Sequence, residues 1–158
     1  MKIKFFITFL LLITIQFTIA QETPKEYTDT FFKIYSKGNI NEAIDFLYEK
    51  NPWKERIQDG INNIKEKLSG LHSRLGNYYG EVKIGEKDLK NTFQVVHFIV
   101  KYERQPLRFE FKFYKPNETW SLYGFSYDDG LSEELSNSMN VQFLELDKAI
   151  EEMKEIKN

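Results

Sequence analysis

Residues 107–114 of the chain are Leu107-Arg108-Phe109-Glu110-Phe111-Lys112-Phe113-Tyr114. Apolar and polar side chains alternate without a break, which is the period of a β-strand with one buried and one solvated face. Residues 92–104 before this stretch and 120–127 after it are rich in β-branched and aromatic residues, and turn sequences separate the three. The sequence therefore predicts three consecutive antiparallel strands, preceded by a short strand over residues 78–84.

Helix signals precede and follow the predicted strands. Thr23-Pro24-Lys25-Glu26 is a capping box with proline at the first helical position, and Asn39 is expected to cap a second helix. In a third helical segment, apolar residues recur at steps of three and four over residues 53–75. Ser132 is expected to cap a last helix. The apolar stripe of that last helix is Leu135, Met139, Phe143, Leu146, Ile150 and Met153.

Residues 1–20 have the layout of a secretory signal peptide. Two lysines precede an apolar stretch over residues 5–19, and small residues stand at Thr18 and Ala20, ahead of a predicted cut after Ala20. The stretch is shorter than the roughly 20 residues that span a bilayer. We therefore expect a secreted or periplasmic protein with no membrane span after cleavage. An uncleaved N-terminal anchor is the alternative.

The composition excludes several classes of function. Of 158 residues, 41% are apolar and 16% aromatic, so the chain can bury a core without covalent cross-links. The absence of cysteine excludes disulfides, thiolate metal sites and cysteine nucleophiles. Because the formal net charge is −2, no basic excess exists for phosphates, and we expect no nucleic-acid partner. With two histidines in the chain, we expect neither a metal site nor a cofactor.

The order of elements resembles the nuclear transport factor 2-like superfamily, a cystatin-like α+β cone. The residues that carry the likeness are Phe31-Phe32-Lys33-Ile34-Tyr35-Ser36-Lys37-Gly38-Asn39 with Glu42-Ala43, Leu75-Gly76-Asn77-Tyr78-Tyr79-Gly80, and Trp120-Ser121-Leu122-Tyr123-Gly124-Phe125. The resemblance implies α+β architecture, with N-terminal helices packed on a curved antiparallel sheet. The expected division is a signal peptide over residues 1–20, this domain over 21–130, and a C-terminal helical extension over 131–158. The superfamily includes ketosteroid isomerases, polyketide cyclases and short secreted bacterial domains, so the likeness implies a fold and no single activity.

The resemblance implies a ligand cavity between the helices and the concave face of the sheet. The aromatic residues expected to line it are Trp53, Tyr79, Tyr102, Phe109 and Phe111. His97 shares a strand face with Val95 and Ile99, opposite the apolar face of the same strand, and is therefore expected on the outer side of the sheet. Domains of this type tend to form dimers there. The expected interface residues are His97, Ile99 and Tyr114.

No catalytic residue is predicted. An isomerase-type reaction requires a carboxylate base in an apolar pocket, and no Asp or Glu lies inside an apolar run. Glu103 and Glu110 alternate with apolar residues, as solvated strand positions do. The acidic residues between positions 128 and 134 lack the ligand spacing of a calcium loop.

Three functions from different classes fit these features. The first is an exported, non-catalytic domain that binds a small apolar ligand or a partner protein, as a homodimer. The second is a small pocket enzyme of the isomerase or cyclase type, which would use Tyr102 or His97. The third is a structural interaction module that acts through its C-terminal helix.

Overall fold

A computed structural model describes residues 22–156 of the chain, which form an α+β arrangement. The elements in chain order are α1 (Pro24–Tyr35), α2 (Ile40–Tyr48), a 3₁₀ helix (Lys54–Ile57), α3 (Gln58–Ser69), α4 (Leu71–Leu75), β1 (Tyr78–Leu89), β2 (Phe93–Tyr102), β3 (Leu107–Tyr114), β4 (Ser121–Asp128) and α5 (Leu131–Ile156). The predicted signal peptide over residues 1–20 lies outside the described residues and stays a prediction. None of the described helices is both long and apolar enough to cross a bilayer.

The four strands form one antiparallel sheet in the order β1-β2-β3-β4. The predicted meander of the last three strands is confirmed. Strand β1 is longer than predicted and pairs with β2 from Tyr78 opposite Tyr102 to Leu89 opposite Phe93. Its second half, residues 85–89, is exposed and mostly polar, so backbone pairing with β2 rather than burial of side chains makes it a strand.

The inner face of the sheet packs against α1 through aromatic rings. Phe109 and Phe111 of β3 are fully buried there, as the alternation in the sequence predicts. The ring of Phe31 lies edge-on to that of Phe111, with centroids 5.2 Å apart, and the ring of Phe32 lies 4.8 Å from that of Phe98. Such rings bury 150–250 Å² each in typical proteins, so this contact supplies much of the apolar burial that stabilises the fold.

The two helices of the N-terminal hairpin begin in different ways. The predicted capping box of α1 is present, because Thr23 Oγ1 accepts from the Glu26 amide at 3.3 Å and Glu26 Oε2 accepts from the Thr23 amide at 2.7 Å. The prediction that Asn39 caps α2 is correct in position and wrong in chemistry. The Asn39 side chain donates to Glu42 Oε2 at 3.0 Å and makes no capping bond to the backbone.

The third helical segment is broken into a 3₁₀ helix, α3 and α4. The break between the two α-helices is at Gly70, whereas Gly60 stays inside α3. Gly76 ends α4 with a φ of +79°, a left-handed conformation that glycine adopts without steric cost. A Cβ at position 76 would also lie 2.7 Å from the carboxylate of Glu103, so the turn into β1 has no room for a side chain.

Helix α5 begins two residues earlier than a cap at Ser132 would place it. It starts at Leu131, so Ser132 lies in its first turn and the predicted serine cap is wrong. The reason is a turn at the end of β4, in which the Gly130 amide donates to Asp128 Oδ1 at 2.8 Å. That side-chain bond reverses the chain immediately after the strand, and the Glu134 amide then donates to the Gly130 carbonyl at 3.2 Å.

Candidate functional site

A pocket of about 890 Å³ lies where the α1–α2 loop faces the ends of α3 and α4 and the start of the sheet. It is open to solvent on one side. Its walls are residues 35–42 from the helical hairpin, Leu68, Ser69 and His72 from α3 and α4, and Asn77, Tyr78 and Tyr102 from the sheet. Three separate parts of the chain therefore build this pocket, and the packing of α1 on the sheet sets the distance between them.

Three tyrosines meet at the inner side of the pocket. Tyr35 is the last residue of α1, and Tyr78 and Tyr102 face each other across β1 and β2, so both point to the inner side of the sheet. The hydroxyls of Tyr35 and Tyr102 share a hydrogen bond, and the hydroxyl of Tyr78 donates to a carboxylate oxygen of Glu81. The Tyr78 ring is edge-on to both others, with centroids 5.6 Å from Tyr35 and 6.1 Å from Tyr102.

Burial keeps these three hydroxyls neutral. It is the largest cause of the raised pKa of Tyr35, and of the raised pKa values of Tyr78 and Tyr102. The bond to Tyr35 acts in the opposite direction on the pKa of Tyr102 without overcoming the effect of burial. A neutral phenol both donates and accepts a hydrogen bond. The inner side of the pocket is thus aromatic, and its neutral hydroxyls are bonded to one another and to Glu81.

The mouth of the pocket is polar, with amides, hydroxyls and the exposed charged side chains of Lys37 and Glu42. Ser69 Oγ donates to Asn41 Oδ1 at 3.3 Å, a bond that joins α3 to α2 across the opening. Asn77 Nδ2 donates to Glu103 Oε2 at 3.2 Å on the sheet side. His72 is exposed at the same mouth. These groups can make directional hydrogen bonds to a ligand whose apolar part contacts the tyrosines.

The described residues around this pocket supply no buried base. Among the side chains that the structure describes, Thr28 is the one buried polar or charged residue, and it lies in α1 outside the pocket wall. The carboxylates of Glu42 and Glu103 are exposed, and the half-buried carboxylate of Glu81 accepts the hydrogen bond from Tyr78. In the same part of the chain, no group of three or more His, Asp or Glu residues is placed to hold a metal ion.

The five residues predicted to line a pocket lie in three different places. Tyr102 is in the pocket wall, whereas Phe109 and Phe111 are fully buried in the core between α1 and the sheet. Trp53 is 57% exposed beside the 3₁₀ helix, where its ring stacks with the Arg56 guanidinium at 4.6 Å. Tyr79 is 60% exposed.

Sequence reasoning missed Tyr35 and Tyr78 as pocket residues. Tyr78 could have been found by strand parity, because Tyr78 and Tyr79 must point to opposite faces and Tyr78 begins the strand on the inner side. Tyr35 gave a weaker signal. It belongs to the apolar stripe of α1, and its hydroxyl reaches the pocket because α1 ends there.

The three residues predicted to form an interface all lie on the outer face of the sheet. His97 and Ile99 alternate with the buried residues of β2, and Ile99 pairs with Val82 of β1. Tyr114 ends β3 on the same side and is 41% exposed. The predicted side of the sheet is confirmed for these residues, while the role in a dimer stays a prediction.

A hydrogen-bonded cluster centred on Glu110 occupies the middle of the outer face. Glu110 accepts from His97 Nε2 at 2.9 Å, from Lys112 Nζ at 2.7 Å and from Ser126 Oγ at 3.0 Å. Partial burial alone would raise the pKa of Glu110, but the bonds from Lys112, His97 and Ser126 outweigh it and lower that pKa to about 2. His97 therefore has a carboxylate partner on the outer face, away from the pocket.

Arg108 joins the first turn of α5 to the sheet. Its two terminal nitrogens donate to Asp128 Oδ2 and to Glu134 Oε2, each at 2.8 Å. The same Glu134 carboxylate lies 4.0 Å from His97 Nδ1. The bond to Asp128 is the largest cause of the raised pKa of Arg108, which keeps the guanidinium charged and both carboxylates bound.

No protein-family model, no curated protein and no solved structure matches this chain.

Proposed function

We propose that this chain is an exported, non-catalytic binding domain of the nuclear transport factor 2-like type, which takes a small ligand in the pocket beside Tyr35, Tyr78 and Tyr102. The observation that carries the proposal is the pocket itself. Its volume of about 890 Å³ falls in the range of small-molecule sites, roughly 300–1,000 Å³. An uncharged aromatic side and a mouth lined by a few polar groups is the usual composition of such sites.

The chemistry of the walls indicates the class of ligand. The half-buried side chains of Tyr78 and Ile40 offer apolar contact, whereas Asn41 and Ser69 offer hydrogen bonds at the mouth. A neutral molecule with an apolar body and one polar end satisfies both parts. Such a ligand agrees with the small apolar molecule expected from the sequence, and it adds a polar group at the mouth.

The positions of the candidate catalytic groups support binding over catalysis. His97 and Tyr102 lie on opposite faces of β2, so they cannot act in one active site. The Tyr102 hydroxyl is neutral and already bonded to that of Tyr35. Proton abstraction would require a free, positioned base. Glu42 and Glu103 near this pocket are exposed to solvent, and the half-buried carboxylate of Glu81 is already bonded to the Tyr78 hydroxyl.

We also propose that the domain is a homodimer. Apolar side chains that are exposed on the outer face support this part. Leu89 and Tyr114 flank Phe93 in one row of the sheet, and the ring of Tyr123 lies edge-on to that of Phe93 at 5.7 Å. Contiguous apolar residues on a surface are typical of sites that contact another protein.

The pocket is tested with a matched pair of tryptophan substitutions and an anilinonaphthalene sulfonate dye as the probe. Ser69→Trp places an indole in the pocket wall, whereas Ser73→Trp places the same group on an exposed position of α4 outside the wall. We expect saturable dye binding to the unsubstituted chain and to Ser73→Trp. Binding to Ser69→Trp should be at least about tenfold weaker, which is about 1.4 kcal/mol. Equal affinities for all three chains would refute the pocket as the binding site.

A further inference from the structure

Helix α5 extends beyond the contacts that anchor it. It has 26 residues, about 39 Å at 1.5 Å per residue, and Arg108 holds only its first turn through Glu134. The large apolar side chains described after that turn are exposed. They are Leu135, Met139, Leu144, Leu146, Ile150 and Met153. An amphipathic helix is stable in water when its apolar face is covered, so this face requires a partner.

The spacing of the exposed residues indicates what kind of surface covers them. Met139, Leu146 and Met153 recur at intervals of seven residues, and Ile150 lies four residues after Leu146 and three before Met153. In a heptad register, Met139, Leu146 and Met153 occupy position d and Ile150 occupies position a, whereas the preceding a positions are Ser136 and Phe143. A repeat of seven keeps a narrow seam facing a second helix that winds around the first.

We propose that α5 binds α5 of a second copy of this chain, parallel and in register, as a two-stranded coiled coil. Ile150 at a and Leu146 at d is the combination that favours two parallel strands. In that arrangement Gln142 at position g faces Asp147 at position e of the other copy, and an amide can donate to a carboxylate there. No pair of like charges meets across the seam at these positions.

A lipid surface fits this helix less well. Helices that lie on anionic membranes carry Lys and Arg beside the apolar stripe. Here Glu145 directly precedes and Asp147 directly follows Leu146, and both are exposed. These carboxylates would be repelled by an anionic surface, whereas they can stay in water at the edge of a pair of helices.

The coiled coil adds a second contact to the proposed homodimer, besides the outer face of the sheet, so it rests on that part of the proposed function and not on the pocket. The chain has no cysteine, which gives a clean background for single-cysteine cross-linking. Met139→Cys and Met153→Cys place thiols on the seam. Lys148→Cys is the matched control, because position 148 is f in the heptad and points away from the partner.

The experiment uses the full chain, expressed in an exporting host, oxidised mildly and separated on a non-reducing gel. We expect Met139→Cys and Met153→Cys each to form a disulfide-linked dimer at least about tenfold faster than Lys148→Cys, since seam thiols meet at the distance a disulfide requires. In the chain without added cysteines, Leu146→Glu should give the mass of a monomer in light scattering. The near-ultraviolet circular dichroism of its aromatic core should be unchanged.

Four results would overturn the proposal. If Lys148→Cys cross-linked as fast as Met139→Cys, the proposed seam would not be the contact between the two helices. A disulfide that forms only when Met139→Cys is mixed with Met153→Cys would make the pair antiparallel. A monomer that sediments with phosphatidylglycerol vesicles would replace the second copy by a membrane. A chain that is a dimer by mass, with no seam cross-link, would keep the homodimer and move its contact away from α5.

Discussion

Helices α1 and α5 carry the same pattern in sequence and meet different environments. Each has an apolar stripe at helical spacing and acidic residues in its first turn. In α1 the stripe is buried by the chain's own sheet, and Phe31 is fully inaccessible to water. In α5, Leu146 of the apolar stripe is 54% exposed. An apolar stripe therefore identifies the face of a helix that needs covering and does not identify the molecule that covers it.

The topology explains the difference. After α1 the chain turns at Gly38 into α2, and the two helices together lie over the inner face of the sheet. By the end of β4 the sheet is complete, and α1 and α2 already cover its inner face. Helix α5 then starts on the outer side, where Arg108 ties its first turn to polar residues.

The largest expected effect separates intramolecular from intermolecular burial. Phe31→Ala should lower the free energy of unfolding by about 3–5 kcal/mol, because it leaves a cavity among five neighbouring aromatic rings. This loss should be the same at any protein concentration. The loss caused by Ile150→Ala should grow with protein concentration, since only the associated state contains its contact. Urea denaturation at two protein concentrations about a hundredfold apart measures both losses of stability. If the effect of Ile150→Ala did not depend on protein concentration, Ile150 would not be buried between two chains.

The next largest effect concerns the hydrogen bond between the hydroxyls of Tyr35 and Tyr102, where α1 ends beside the pocket. Tyr102→Phe should cost about 1–3 kcal/mol, because it leaves the buried Tyr35 hydroxyl without its partner. The double variant Tyr35→Phe/Tyr102→Phe should cost less than the sum of the two single changes. Tyr79→Phe, at an exposed position of β1, serves as the control, with an expected change within about 0.5 kcal/mol. Additive losses in the double variant would mean that the two hydroxyls are not coupled.

The starts of the two helices give a smaller contrast. Thr23→Ala should destabilise the chain by about 1 kcal/mol, since Thr23 accepts from a backbone amide that would otherwise lack a partner. Ser132→Ala should change stability by less than about 0.5 kcal/mol, because Ser132 lies inside the first turn of α5 and is exposed. Thermal unfolding of both variants measures the difference. Equal losses would assign Ser132 a capping role after all.

An effect confined to acid pH distinguishes the polar outer face from the aromatic inner face. The pKa of Glu110 is lowered from 4.5 to about 2, so its ionised form stabilises the folded state above pH about 4.5. That contribution should be lost as the pH falls from about 4.5 to about 2. Glu110→Gln should therefore weaken the dependence of unfolding free energy on pH in this window, with Glu118→Gln in an exposed turn as the control. An unchanged pH dependence in Glu110→Gln would show that the cluster is not formed in solution.

The sequence was sufficient for most of the fold because local signals and burial agree there. The alternation over residues 107–114 predicts both the strand and the face of each residue correctly. The second half of β1 was missed because residues 85–89 have no buried face to impose a pattern. The break at Gly70 was also not fixed by the pattern, since the apolar spacing of Leu68, Leu71 and Leu75 continues through it.

The candidate site was harder to predict because it depends on where separate elements end. Tyr102 was identified as a pocket residue, whereas its partner Tyr35 was assigned only to a helix stripe. Phe109 and Phe111 have the same inward parity as Tyr102, but α1 covers them. A strand pattern gives the face of a residue, and only tertiary packing decides whether that face is solid core or open pocket.

Native mass spectrometry of the exported chain, compared with its mass after denaturation, is the most direct single test of a ligand-binding homodimer. We predict a native species of two chains with additional small-molecule mass, and loss of that mass on denaturation. Ser69→Trp should remain a dimer and lack the additional mass. A native species with the mass of one bare chain would contradict both the ligand and the dimer.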